Sequence, residues 1–179
     1  GLVAEPLGWQ GVARSQQSLQ RCAELYARHE FPRHAGEVAR PAPAQSGKIR
    51  IGYVSGELRD QATSHLIVGV LERHDRARFE IYGFDNGWDD GSAMRRRLEA
   101  AFDKFIGIAN LSDRAAAERI RDEEIDILVN LNGYFGKDRM AVFALKPAPI
   151  QVNYLGFPGT LGADYIDYIL ADRLVIPEQ

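Results

Sequence analysis

With 179 residues, 45% hydrophobic and 26% charged, the chain has the make-up of a globular protein built around one core. A net charge of −3 excludes a global field that would gather nucleic acid or an anionic membrane. No apolar run nears the roughly 20 residues of a membrane helix, and residues 1–9 lack the basic and apolar blocks of a secretion signal. The single cysteine, Cys22, excludes an internal disulfide and fits a reducing cytoplasm. Gly1 in place of an initiator Met suggests a processed chain or an excerpt.

Residues 16–29 read as an amphipathic helix. Leu19, Cys22, Ala23, Tyr26 and Ala27 recur at three- and four-residue spacing, opposite Gln20, Arg21, Glu24 and Arg28. Ser15 is placed to cap it, and Pro32 lies just past its end. On this pattern Cys22 is a small buried hydrophobe, as free cysteines usually are. Residues 34–47 have no periodicity and read as a linker, which makes 1–33 a helical segment outlying the domain at 48–179. From Lys48 onward strands alternate with helices. Strands are expected over 49–54, 79–85, 104–108, 125–131, 150–154 and 165–170, and helices over 64–72 or 64–74, 92–101, 112–122 and 138–145. That alternation implies an α/β fold, a Rossmann-like parallel sheet with helices on both faces. The basic run Arg95-Arg-Arg97 falls on a helix and reads as a solvated face.

Several common catalytic motifs are absent, among them a phosphate-binding lysine loop, paired CxxC, HExxH and GxSxG. The four histidines have no metal-ligand spacing, so no metal is expected. Three turns remain, each at the carboxyl end of a strand, where parallel sheets bind ligands. The first runs Ser55-Gly-Glu-Leu-Arg-Asp-Gln-Ala-Thr-Ser64 into a helix. Its hydroxyls, amides and helix N–H groups suit an anionic or hydroxyl-rich ligand; Thr63 or Ser64 could equally be a cap, and His65 a packing residue. In the second, Asn130-Leu-Asn-Gly-Tyr-Phe135, two carboxamides face one side of an extended chain. They could bind sugar hydroxyls or a peptide backbone, or the segment could be an ordinary Asn-Gly turn with Tyr134 as packing. The third, Tyr154-Leu-Gly-Phe-Pro-Gly-Thr-Leu-Gly162, lets backbone approach a ligand closely, but its glycines do not have dinucleotide spacing.

Lys48-Ile-Arg-Ile-Gly-Tyr-Val-Ser-Gly56, Thr63-Ser-His65, Ile127-Leu-Val-Asn-Leu-Asn-Gly-Tyr134, Ala144-Leu-Lys-Pro-Ala-Pro-Ile-Gln151, Leu155-Gly-Phe-Pro-Gly-Thr160 and Asp167-Tyr-Ile169 together resemble the O-linked N-acetylglucosamine (O-GlcNAc) transferases. The likeness covers the N-terminal lobe of their two-lobe catalytic region, from about Lys48 to the end. It implies a metal-independent, inverting transferase that moves N-acetylglucosamine from UDP-N-acetylglucosamine to Ser or Thr hydroxyls of proteins. It further implies a bacterial member with tetratricopeptide repeats upstream. No cofactor is implied beyond the UDP-GlcNAc donor, whose nucleotide is bound mainly by a second lobe that is not in this sequence. By motif matching, Thr63, Tyr134, Leu155, Gly156 and Pro158 fall on positions lining the sugar or acceptor cleft, and they are expected to gather at one pocket.

The sequence departs from the family at Gln61, where eukaryotic members carry His. Gln61 sits in the same cleft on this reading but cannot titrate near neutral pH, so the resemblance names no catalytic acid or base here. The family's His-rich segment before the lobe is not matched within residues 1–10. A non-catalytic α/β module that binds protein or ligand is the rival expectation. A receiver domain is not supported, because the acidic cluster after its first strand is missing.

Overall fold

Ser15, Ser92 and Ser112 each close the first turn of a helix. Their hydroxyl oxygens accept from backbone N–H groups: Ser15 from Ser18 at 3.2 Å, Ser92 from Arg95 at 3.0 Å and Ser112 from Ala115 at 3.2 Å. These caps set three of the helices in a computed structural model that describes residues 3–33 and 47–176. All but the last residue of the expected linker lies outside the described residues.

A short helix not anticipated from the pattern, α1 (Pro6–Gln10), opens with a proline whose fixed φ suits a first turn. α2 (Gln16–Glu30) follows the expected periodicity, with Cys22, Ala23 and Ala27 on its buried face. Then come β1 (Ile49–Ser55), α3 (Ala62–Leu71), β2 (Phe79–Asp85), α4 (Ala93–Ala101), β3 (Lys104–Gly107) and α5 (Asp113–Asp122). β4 (Ile127–Asn130), α6 (Met140–Ala144), β5 (Ile150–Tyr154) and β6 (Tyr168–Leu170) complete the order.

The six strands form one sheet in the order β3-β2-β1-β4-β5-β6, and every pairing is parallel. The expected Rossmann-like sheet is therefore present, and β1 lies beside β4 with Ile51 opposite Ile127 and Val54 opposite Asn130. Chain order reverses between these two strands. The crevice outside their carboxyl ends is where such a sheet binds ligands.

Both faces of the sheet are covered. On one, Ile67, Val68 and Leu71 of α3 and Leu98 of α4 pack on Ile51, Ile81 and Val129. On the other, Ala116 and Ile120 of α5 and Phe143 of α6 pack on Phe84 and Leu128, with Tyr26 and Phe31 closing over them. Each fully buried aliphatic or aromatic side chain of this kind contributes about 1.5–3 kcal/mol.

Three expectations need correction. β6 begins at Tyr168 and not at 165, because the carbonyl of Tyr165 accepts from Gln151 Nε2 and Lys146 Nζ at 2.8 and 3.0 Å, so side chains take the place of a strand partner. α3 begins at Ala62, and neither Thr63 nor Ser64 caps it; Gln61 holds the cap position without a side-chain bond. Arg95 is not part of a solvated face. It is 7% exposed, and its Nη1 donates to Asp85 Oδ2 at 2.7 Å and to the Leu58 carbonyl at 2.9 Å. Its Nε donates to Glu99 at 2.7 Å and its guanidinium lies 4.5 Å from the Phe105 ring centroid.

Arg95→Ala strands the buried Asp85 carboxylate and should destabilise the fold by about 3–5 kcal/mol. Arg97 pairs with Glu72 on an exposed surface, and Arg97→Ala should leave stability close to that of the parent chain. Urea unfolding midpoints of the two variants measure the contrast; equal shifts would contradict the assignment of Arg95 as the buried staple.

Candidate functional site

All three turns singled out in the sequence leave the carboxyl edge of the sheet, and backbone contacts lock them together. β1 ends at Ser55, and the N–H of Gly56 donates to Asn132 Oδ1 at 3.0 Å, tying the first turn to the second. The second turn is tied to the third by close approach. A Cβ on Gly156 would collide with the Leu131 carbonyl, and one on Gly133, which has φ 58°, would collide with Phe157. A Cβ on Gly162 would strike the backbone of α2 between Ala23 and Glu24, so the third turn is also seated on the N-terminal helix.

The two asparagines build this arrangement. Asn130 Oδ1 accepts from the N–H groups of Asn132 and Gly133 at 2.9 and 3.0 Å, and its amide donates to Met140 Sδ at 3.1 Å. Asn132 Nδ2 donates to the Phe135 carbonyl at 3.0 Å. Both side chains are buried, so of the two readings open in the sequence the structure takes the turn: these carboxamides shape it.

Tyr134 is likewise 3% exposed. Its hydroxyl donates to the Leu161 carbonyl at 2.6 Å, and its ring meets Tyr26 and Phe157 edge-on at 5.1 and 5.5 Å. Burial pushes the Tyr134 phenol well above its ordinary range. The side chain therefore holds the glycine loop against the β4 turn.

At the β1 exit, a residue that the sequence reading passed over organises the turn. Glu57 is buried, and its Oε2 accepts from the Thr63 hydroxyl at 3.1 Å. Its carbonyl accepts from the Ser64 hydroxyl at 2.6 Å, so both hydroxyls expected to cap α3 serve Glu57 instead. No cation pairs with Glu57 among the described residues. The start of α3 compensates in part, because a helix N-terminus favours negative charge and no side chain caps this one. A signal was available: an acidic residue just past a strand end, with hydroxyls six and seven residues on at a helix start.

Around this carboxylate Gln61 is exposed, and Arg59 donates to the Gly56 carbonyl with its guanidinium 3.7 Å from the centroid of the Trp88 ring. His65 is exposed as well and bonds Asp60 at 2.8 Å, so it is not the packing residue expected. In the third turn Leu155 adopts φ 65°, a conformation that costs a leucine about 1–2 kcal/mol and that clusters at functional sites. Gly156 is half-buried and Pro158 exposed.

Two cavities of about 680 and 480 Å³ flank this loop. Pro158 lines both and Leu155 the smaller one, whereas Gln61, Thr63, Tyr134 and Gly156 line neither. The predicted residues thus share one edge of the sheet, and neither of these two cavities takes in all of them. Among the described residues no cluster of three or more His, Cys, Asp or Glu could hold a metal ion.

Gly162→Ala should destabilise the chain by about 1–3 kcal/mol through its positive φ and its contact with α2. Tyr134→Phe should cost about 1 kcal/mol, the worth of the hydroxyl's bond to Leu161. Thermal unfolding of both variants tests this, and an unaltered Gly162→Ala midpoint would show that the loop does not rest on α2.

Comparison with known proteins matches this geometry to one family. The family described as glycosyl transferase family 41 matches residues 20–179. The chain is 36% identical over 167 residues to a probable UDP-N-acetylglucosamine–peptide N-acetylglucosaminyltransferase, SEC, of Arabidopsis thaliana, covering 92% of this chain and 17% of that protein. It is 40% identical over 131 residues to the UDP-N-acetylglucosamine–peptide N-acetylglucosaminyltransferase of Caenorhabditis elegans, covering 73% of this chain and 11% of that protein. A solved structure of an O-GlcNAc transferase mutant from Thermobaculum terrenum superposes with a TM-score of 0.80 at 32% identity, over 93% of this chain and 32% of that one. The chain thus spans less than a third of the length of each of these relatives. It belongs to glycosyl transferase family 41, the O-GlcNAc transferase family that its motifs resemble, and represents part of that family's catalytic region.

Proposed function

We propose that the full-length protein transfers N-acetylglucosamine from UDP-N-acetylglucosamine to Ser or Thr hydroxyls of protein acceptors, and that this chain forms the sugar- and acceptor-side lobe. The observation that carries the reading is that the family match, residues 20–179, includes all three turns that the fold gathers at the carboxyl edge of β1, β4 and β5. On this reading 48–179 is the lobe, 1–33 its junction to upstream tetratricopeptide repeats, and the protein is bacterial and cytoplasmic. The resemblance supports the lobe, the repeats and the bacterial origin, and the single cysteine, Cys22, is what favours the cytoplasm. No helix among the described residues is long and apolar enough to cross a membrane.

The proposed reaction is inverting and needs no metal. The acceptor oxygen bonds to the anomeric carbon as the bond to the diphosphate breaks on the opposite side, and the hydroxyl proton must pass to a base or to solvent. Gln61 cannot take that proton. Glu57 fixes the Thr63 hydroxyl at the mouth of the β1–β4 crevice, and Leu155, Gly156 and Pro158 offer backbone and apolar surface to the sugar ring. Charge on the departing diphosphate calls for cations or N–H donors, which the proposal assigns to the second lobe.

In the full-length protein, with UDP-GlcNAc and a serine-containing acceptor peptide, transfer should survive chelation by EDTA. Thr63→Ala and Glu57→Gln should each lower kcat by about tenfold or more, on the order of 1.4 kcal/mol of transition-state stabilisation. The 179-residue chain alone should show no saturable heat with UDP at about 100 μM protein; micromolar affinity, about −8 kcal/mol, would place the nucleotide in this lobe. Binding of UDP-GlcNAc without transfer by the full-length protein would favour the non-catalytic reading.

A further inference from the structure

We propose that Tyr26 of α2 and Phe31 at its end are positioning residues for the transferred sugar: they hold Tyr134, and through it the glycine loop. What the loop touches is taken from the proposed function; every contact that holds the loop is made within this chain.

The loop does little to hold its own shape. Among the described residues, 156–161 make no backbone–backbone hydrogen bond. Leu155 enters the loop at φ 65° and Gly162 leaves it at φ 59°, so neither end is relaxed extended chain. Its bound carbonyls are held by side chains: Leu161 by the Tyr134 hydroxyl at 2.6 Å and Phe157 by Asn153 Nδ2 at 3.5 Å. A segment with so few backbone bonds opens easily unless packing holds it.

The packing comes from α2. The Phe31 ring stacks on Tyr134 at 6.1 Å with 15° between planes, and the Tyr26 ring meets Tyr134 edge-on at 5.1 Å and 84°. Tyr134 in turn meets Phe157 of the loop edge-on at 5.5 Å. Aromatic pairs attract beyond their buried area only in such geometries, so few positions of the Tyr134 ring satisfy Tyr26, Phe31 and Phe157 at once. A second line of contact runs beside the first. The Tyr165 hydroxyl donates to the Phe31 carbonyl at 3.3 Å, and Gly162 lies against the Ala23–Glu24 backbone. A small displacement of α2 is therefore carried to the loop, because close-packed side chains transmit strain.

For a sugar set against Leu155, Gly156 and Pro158 such a displacement is costly, since misplacing a reactant by about 1 Å can lower its rate about a hundredfold. The nucleotide half of the donor, assigned to the second lobe, is outside its reach. Tyr26 and Phe31 should therefore govern affinity for UDP-GlcNAc and not for UDP.

The test is calorimetric titration of the full-length protein with UDP-GlcNAc and, separately, with UDP, alongside hydrogen–deuterium exchange of the same variants. Phe31→Ala and Tyr26→Ala should each weaken UDP-GlcNAc binding by about tenfold or more and leave UDP within about twofold. Phe31→Leu keeps apolar volume without the stack and should show the same selective loss in milder form. Tyr26→Phe keeps the ring and should restore UDP-GlcNAc affinity. Exchange should quicken across 155–162 with β1 and β2 unchanged, which also shows that the variants are folded. Equal weakening of both ligands, or an unchanged loop, would overturn the proposal. A quickened loop with unchanged UDP-GlcNAc affinity would overturn it too, and would trace the failure to the proposed placement of the sugar and not to the link between α2 and the loop. Absence of UDP-GlcNAc binding by the parent protein would overturn the proposed function and this proposal with it.

Discussion

The hydrogen bond from the Gly56 N–H to Asn132 Oδ1 joins the exits of β1 and β4 at the point where strand order reverses. Two turns meet there, each with a backbone group to satisfy, and the bond to the N–H of Gly56 is buried. Asn132 resolves both, taking the N–H of one turn with its oxygen and giving its amide to the Phe135 carbonyl of the other. An unpaired buried N–H is costly and rare, so this one side chain sets how far apart the two turns can stand. Gly156 then fits only because the Leu131–Asn132 backbone lies where it does. The Tyr134 hydroxyl holds the far end of the glycine loop at Leu161.

The unfavourable local features are concentrated on this same edge. Leu155 is held at positive φ, Glu57 is buried without a cation among the described residues, α3 starts without a side-chain cap, and Asn153 keeps an unpaired oxygen. At the end of β2, by contrast, the equally buried Asp85 is paired with Arg95 through a 2.7 Å bond. Such features persist where the surrounding structure over-determines them, and the interlocked turns supply that constraint here. A rigid edge that carries a buried carboxylate and a strained loop is what the proposed transfer asks of a lobe that positions its reactants. Under the proposed function the departing diphosphate draws its positive charge from outside this chain, which spans 32% of the solved transferase structure that it matches.

The sheet was legible because alternation of apolar strands with capped helices is a local property, and Ser15, Ser92 and Ser112 mark helix starts within three residues of the N–H groups they bond. Element ends were read less well wherever a distant side chain intervened, as Gln151 and Lys146 do at Tyr165. That the three turns leave one edge of the sheet was legible from their place at strand ends. The duties of their residues were not. Asn130 and Asn132 look the same whether they face a ligand or a backbone, and only the fold reveals which. Arg95 and Arg97 sit two apart in one basic run, yet helical geometry turns the first toward Asp85 and leaves the second in solvent. Glu57 escaped notice because the hydroxyls six and seven residues on read as helix caps; its burial between β1 and α3 is a tertiary fact.

If Asn132 is the tie on which this edge depends, loosening it should be felt in all three turns at once. Hydrogen–deuterium exchange of the Asn132→Ala variant against the parent chain measures this directly. Faster exchange is expected at Gly56 and Glu57, across 130–136 and across 156–161 alike, with the amides of α4 and α5 unchanged. Faster exchange confined to 130–136 would contradict the account, showing that the three turns are neighbours at one edge and not a single built unit.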